Sequence, residues 1–233
     1  MLARRLPAAV LVAIIGLAAA LALAERPKHR QQPKQHAVLH AIPVGAIKIP
    51  LRCVEQPDGW SCGAASLMSI CAYYNVGPRT VQAFKEALGT DAVDGTYYRD
   101  IAKYAEKLGL SADIEKPMSF DRLRQLIDQG KPVICSIQAY SDDKNPDYHT
   151  DDNGHYVVAI GYDTDNFYFM DPSANYEGAV ANPRYGCLTK AELELRWHEN
   201  EAKTGKPPER YSHLGIVVYP AKTDSLLRAR MIE

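Results

Sequence analysis

No two of the five cysteines are spaced as C-x-x-C, so the signature of a zinc ribbon or a thiol redox centre is missing. An excess of one charge is missing too. The 27 Lys and Arg nearly cancel the 28 Asp and Glu, leaving −1 over 233 residues and no basic field to draw nucleic acid. There is no P-loop, no internal repeat, no EF-hand spacing and no low-complexity tract beyond one short basic stretch. Nucleotide-driven, repeat-scaffold and nucleic-acid-binding classes are therefore set aside.

What is present begins with an address. Met1 to Arg5 carries two arginines, Leu6 to Leu23 is an almost unbroken apolar run, and Ala22-Leu23-Ala24 supplies a small-x-small cleavage site before Glu25. Residues 1–24 are expected to be a secretory signal peptide. The run is also long enough to serve as an uncleaved N-terminal anchor, in which case it is the expected membrane contact. No cysteine follows it, against a lipoprotein, and Arg4-Arg5 lacks the rest of a twin-arginine signal. Residues 25–43 open on the Pro/Gln-rich basic segment Glu25 to Gln35, which has no hydrophobic side chain to bury and reads as a linker. An exported protein, periplasmic or secreted, is expected, with one domain over 44–220 and a C-terminal tail at 221–233.

Five cysteines is an odd number, so at least one of Cys53, Cys62, Cys71, Cys135 and Cys187 is unpaired in an oxidising compartment. If that one is Cys62, the other four allow three pairings. Cys71 and Cys135 lie in apolar surroundings that suit buried thiols, and a Cys53–Cys187 pair stays open as an alternative.

Val44 to Leu51 alternates loosely and reads as a short strand leading into the loop that carries Gln56. From Gly63 to Asn75 the residues Ala64, Leu67, Met68, Cys71 and Tyr74 recur at helical spacing, predicting a helix stopped by Gly77 and Pro78. Further helices are predicted after Thr80, from Tyr98 to Leu108, and from Phe120 to Gln129. β-Branched and aromatic runs then predict strands at 132–140 and 155–162, a tight turn at 163–166 and a returning strand from Phe167 to Asp171. Thr189 to Ala202 reads as a helix and Leu214 to Tyr219 as a last strand. Helices first and antiparallel strands afterwards make an α+β domain.

The chemistry is concentrated in one loop and one hairpin. Gln56-Pro57-Asp58-Gly59-Trp60-Ser61-Cys62-Gly63 runs straight into a predicted helix. A cysteine at a helix start meets unpaired amides and the positive end of the macrodipole, which favour a thiolate. His155, at the start of a strand, is the candidate to exchange a proton with the thiol, and Asp171, on the paired strand, is the candidate to orient the imidazole. Gln56, six positions before Cys62, is placed to donate to an oxyanion together with the Cys62 amide. Each residue alone has a plainer reading: a buried cysteine, a core histidine, a strand-ending Asp-Pro, a loop glutamine. The hairpin that joins His155 to Asp171 makes the pair stronger than either residue. His149, in an acidic loop, is the rival base. Asp58, Trp60 and Ser61 read either as cleft-shaping residues or as a turn residue, a core aromatic and a helix cap. The loop from Asp142 to Asp152 is rich in oxygen ligands suited to calcium, but a solvated loop is preferred; no metal and no organic cofactor is expected.

These residues resemble the papain-like cysteine peptidases, most closely the bacteriocin-processing, double-glycine-type peptidase domains and their stand-alone relatives. In that family a Gln lies six residues before a Cys-Gly helix start, and a His-Tyr strand is followed by an Asp-Pro hairpin, as in Gln56, Cys62-Gly63, His155-Tyr156 and Asp171-Pro172 here. The resemblance spans roughly Leu51 to Tyr219 and includes Gly95-Thr96, Gly130-Lys131-Pro132 and the segment around Trp197. It implies a papain-like fold, with the Cys helix packed on an antiparallel sheet. It also implies Cys62 as nucleophile, His155 as base, Asp171 as orienter and Gln56 at the oxyanion hole, acting on a peptide or protein substrate. No nucleotide-binding motif is present, so coupled leader cleavage and export is not expected, and Ser61 stands where transporter-linked members commonly have Asp, which counts against double-glycine leader specificity. Two other readings use the same residues: a transglutaminase-like acyl transferase or amidase, and an inactive peptide-binding module.

Overall fold

The computed structural model describes residues 42–139, 148–149, 153–173 and 185–221. The expected signal segment, nearly all of the linker, most of the acidic loop and nearly all of the tail lie outside them. In chain order the elements are α1 (Cys62–Tyr73), α2 (Val81–Leu88), α3 (Tyr98–Lys107), β1 (Leu110–Glu115), α4 (Phe120–Asp128), β2 (Val133–Gln138), β3 (Gly154–Tyr162), β4 (Asn166–Met170), β5 (Tyr185–Thr189), α5 (Lys190–Arg196), β6 (His198–Glu201), β7 (Glu209–Ser212) and β8 (Gly215–Pro220).

Side-chain alternation decides the layering. Along β3, Tyr156, Val158 and Ile160 join Leu67 and Ile70 of α1 and Ile101 of α3 in one core. The intervening Val157 and Ala159 join Leu123 and Leu126 of α4 and Leu193 of α5 in another. β2 and β8 repeat the pattern, with Ile134 and Ile216 on the first side and Val133 and Val217 on the second. Every strand position of β2 is buried, as a central strand covered on both faces requires. The sheet runs β1-β8-β2-β3-β4-β5 with every neighbouring pair antiparallel, and β6 and β7 form a separate ribbon.

The four predicted helices from Gly63 to Gln129 and the β3–β4 hairpin are present, in an α+β architecture. Three sequence expectations are corrected, and one alternative left open is decided. Val44 to Leu51 is not a strand: it makes a single bridge, Ile47 to Gly161, where the β3–β4 register shifts between Ala159 and Gly161. The predicted helix from Thr189 to Ala202 ends at Arg196, and its second half is β6. Strands are not confined to the second half, because β1 lies between α3 and α4 and pairs with the last strand. The Cys53–Cys187 pair is not formed, since Cys187 is a thiol. β5 and β7 are further elements absent from the sequence reading.

Candidate active site

Cys62 is the first residue of α1, and Ser61 stands at the capping position without a side-chain bond to the helix, so the capping role open to it is not taken. The first amides of α1 therefore face out of the helix end with no intrahelical partner. Small residues let that end sit deep: a methyl group on Gly63 would come within 2.7 Å of Thr96 Cβ. One turn further, Ser66 Oγ donates to the carbonyl of Tyr156 at 3.2 Å, tying α1 to β3 beside His155.

The hairpin does the rest. Asp163 Oδ1 accepts from the amides of Asp165 and Asn166, each at 2.8 Å, and closes the turn between β3 and β4. Val158 then pairs with Met170, which brings the next residue, Asp171, alongside the beginning of β3. His155 Nε2 and Asp171 Oδ1 are 2.8 Å apart. The same oxygen accepts from Ser173 N and Oγ, each at 2.8 Å. Burial opposes ionisation of Asp171, but the charge and hydrogen bond of His155 and the bonds from Ser173 outweigh it and lower its pKa below 3.8. An ionised Asp171 accepts, so Nε2 carries the proton and Nδ1 is left for the sulfur. Burial likewise opposes the charged form of His155; the charge and hydrogen bond of Asp171, and then Cys62, overcome it and raise its pKa from 6.5 to about 10. Cys62 and Asp171 thus both act on the His155 ring.

Gln56 is buried in the loop ahead of Cys62. Its backbone amide donates to Pro172 O at 3.0 Å, joining the Gln56 loop to the Asp171 turn. Its side-chain Nε2 donates to Asp58 O at 2.7 Å, and Oε1 is buried with no partner among the described residues. One Nε2 proton remains for another acceptor. His149, the rival base, is exposed and does not line the cleft. His198 engages the carbonyl of Tyr148, and His213 stacks on Trp197.

A cavity of about 60 Å³ opens beside Cys62 and His155, bordered by Trp60 and Thr96. Asp94, Glu199 and Glu201 also line it. Glu201 Oε1 accepts from Tyr156 Oη at 2.9 Å and from Tyr98 N at 3.2 Å, while burial raises its pKa to about 7. Sequence reasoning missed this acidic wall because residues 198–201 were assigned to a helix. The available signal was His198-Glu199-Asn200-Glu201 itself, which carries no apolar residue for a helix to bury. Among the described residues no group of His, Cys, Asp and Glu is arranged to hold a metal ion, and no helix is long and apolar enough to cross a membrane.

The arrangement is a cysteine at a helix start facing a histidine that is held by a carboxylate. The Peptidase_C39 like family matches residues 48–205, a span that contains the whole constellation. The chain belongs to that family. It is accordingly a cysteine peptidase, a hydrolase. A double glycine motif protease from an AMS/PCAT transporter, crystallised with its leader peptide, is similar in fold, with a TM-score of 0.50, 20% identity, and coverage of 77% of this chain and 98% of that one. A protein described as a C39-like peptidase from Bacillus anthracis gives a TM-score of 0.53 at 15% identity, covering 76% of this chain and 98% of that one. At such identities the likeness speaks for the fold, which is the C39 peptidase fold. A comparison with curated proteins gives no match.

Proposed function

We propose that the chain is an exported thiol peptidase that hydrolyses peptide bonds through an acyl-enzyme on Cys62. The observation that carries this reading is the His155 ring, with Asp171 at 2.8 Å on Nε2 and Cys62 beside it. The sulfur attacks the substrate carbonyl and its proton resides on His155 Nδ1. The oxyanion is met by the Cys62 amide and Gln56 Nε2. His155 passes the proton to the leaving nitrogen, the C–N bond breaks, and a thioester remains on Cys62. Water then attacks the thioester, His155 takes its proton, and the acid is released as the thiol is restored. Asp171 keeps the ring in the productive tautomer throughout.

A peptide substrate agrees with the family, and the relative crystallised with a leader peptide binds a peptide on the same fold. Export rests on the apolar run of residues 1–24 and its small-x-small site, with 25–43 as a linker to a domain over 44–220 and a tail beyond it.

The test is intact-mass analysis of the reduced protein after brief iodoacetamide treatment at mildly acidic pH, comparing wild type, Cys62→Ala and His155→Ala, followed by a peptide-library digest. Fast labelling at Cys62 that slows in His155→Ala, with new peptide termini dependent on both residues, is the expected result. Labelling no faster than at Cys53 or Cys187, with no new termini, would overturn the reading.

A further inference from the structure

The loop that presents Gln56 has no regular secondary structure, yet it holds a buried amide whose Oε1 accepts nothing among the described residues. Such an atom carries a cost that the surroundings must offset. Two attachments are visible. One is the Gln56 amide on Pro172 O; the other runs through Asp58. Asp58 O receives Gln56 Nε2 at 2.7 Å, Asp58 Oδ1 receives Trp60 N at 3.3 Å, and Asp58 Oδ2 is paired with Lys85 Nζ. Lys85 is on α2, outside the loop, and its ammonium also lies 5.6 Å from the centre of the Trp60 ring. The ion pair is largely sheltered, with side chains 15% and 17% exposed. Burial opposes ionisation of Asp58, but the Lys85 bond and the Trp60 amide prevail and hold its pKa below 3.8.

We propose that Asp58 and Lys85 are positioning residues for the oxyanion hole, an ion pair that bolts the Gln56–Ser61 loop to α2 and so sets the direction of the Gln56 amide. Neither touches the reacting atoms. The inference rests on the reading of Gln56 as an oxyanion donor. It explains why a lysine of α2, 23 positions beyond Cys62, belongs to the working site. Neutralising it frees the loop and misplaces a donor whose value depends on tenths of an ångström.

Acylation and alkylation separate this role from a merely structural one. Acyl transfer from para-nitrophenyl acetate to Cys62 passes through an oxyanion, whereas alkylation by iodoacetamide displaces iodide at a saturated carbon and forms none. In Lys85→Met the burst of para-nitrophenol is expected to slow by about tenfold or more, the scale of a mispositioned group, while alkylation of Cys62 keeps its wild-type rate. Asp58→Asn, which retains an acceptor for Trp60 N, is expected to behave alike, and Lys85→Arg to restore most of the burst. Circular dichroism on each variant verifies folding. A wild-type burst in folded Lys85→Met or Asp58→Asn overturns the proposal, and so does a parallel loss of alkylation, which marks general damage. If the wild type alkylates but shows no burst that Cys62→Ala removes, the acyl-enzyme reading itself fails and takes the proposal with it.

Discussion

At His155 two opposing effects meet, and the sign of the outcome is a residue-scale matter. Its pKa rises from 6.5 to about 10, so its contribution to stability is complete below its unfolded value and is lost as pH rises through about 10. Asp171, held below 3.8, contributes above that value and loses its contribution as pH falls through its lower folded value. The pair therefore stabilises most between about pH 4 and pH 6.5. Asp171→Asn is expected to destabilise by up to about 3–5 kcal/mol in that window. The difference in Tm from wild type should shrink steadily towards about pH 10, as thermal unfolding across pH will read. Gln56→Ala is a different kind of change, because on the proposed mechanism the lost donor acts on the transition state. It should lower kcat by about 10²–10³ with little change in KM, measurable on any peptide the library identifies.

At the scale of elements, the junction of α1 with the Thr96 segment is close enough to forbid a side chain. Gly63→Ala places a methyl group 2.7 Å from Thr96 Cβ and is expected to cost about 1–3 kcal/mol in urea unfolding, partly relieved by Thr96→Ala. Both α1 and the β3–β4 hairpin were legible because their signals are local: apolar residues at helical spacing in one, an Asp/Asn turn between aromatic runs in the other. The helix after Thr189 was legible only at its start. Thr189 and Glu192 do form a capping box, but Trp197 breaks the helix by sending Nε1 to Leu214 O at 2.8 Å and its own carbonyl to His213 N at 2.7 Å. Those partners are 17 and 16 residues away, beyond any local window. Val44 to Leu51 failed for a related reason. Its loose alternation meets a bulged strand, and after the Ile47 bridge both Lys48 N and Ile49 N turn to the one carbonyl of Ile160.

Across the whole molecule, a chain with almost no net charge gathers three carboxylates, Asp94, Glu199 and Glu201, in the cavity beside Cys62. A low-dielectric cleft of one sign draws groups of the other. Peptides with Lys or Arg near the scissile bond are expected to be cleaved with higher kcat/KM than their Asp or Glu counterparts. That gap should narrow in high salt and widen as pH rises through about 7, where Glu201 ionises. A library assayed at two salt concentrations, below and above that pH, tests it; equal rates for both charge classes would contradict it. The sequence by itself determined the place of Cys62 at a helix start, the His155–Asp171 hairpin, the α+β class and the family resemblance, because turn chemistry, capping and side-chain period act over a few residues. Only the tertiary structure decided the order β1-β8-β2, the acidic wall built from β6, and the approach of Lys85 to Asp58. Those contacts join segments as much as 110 residues apart, as Leu110 and Pro220 are, and they form only when the burial of both faces of the sheet has fixed where every layer lies.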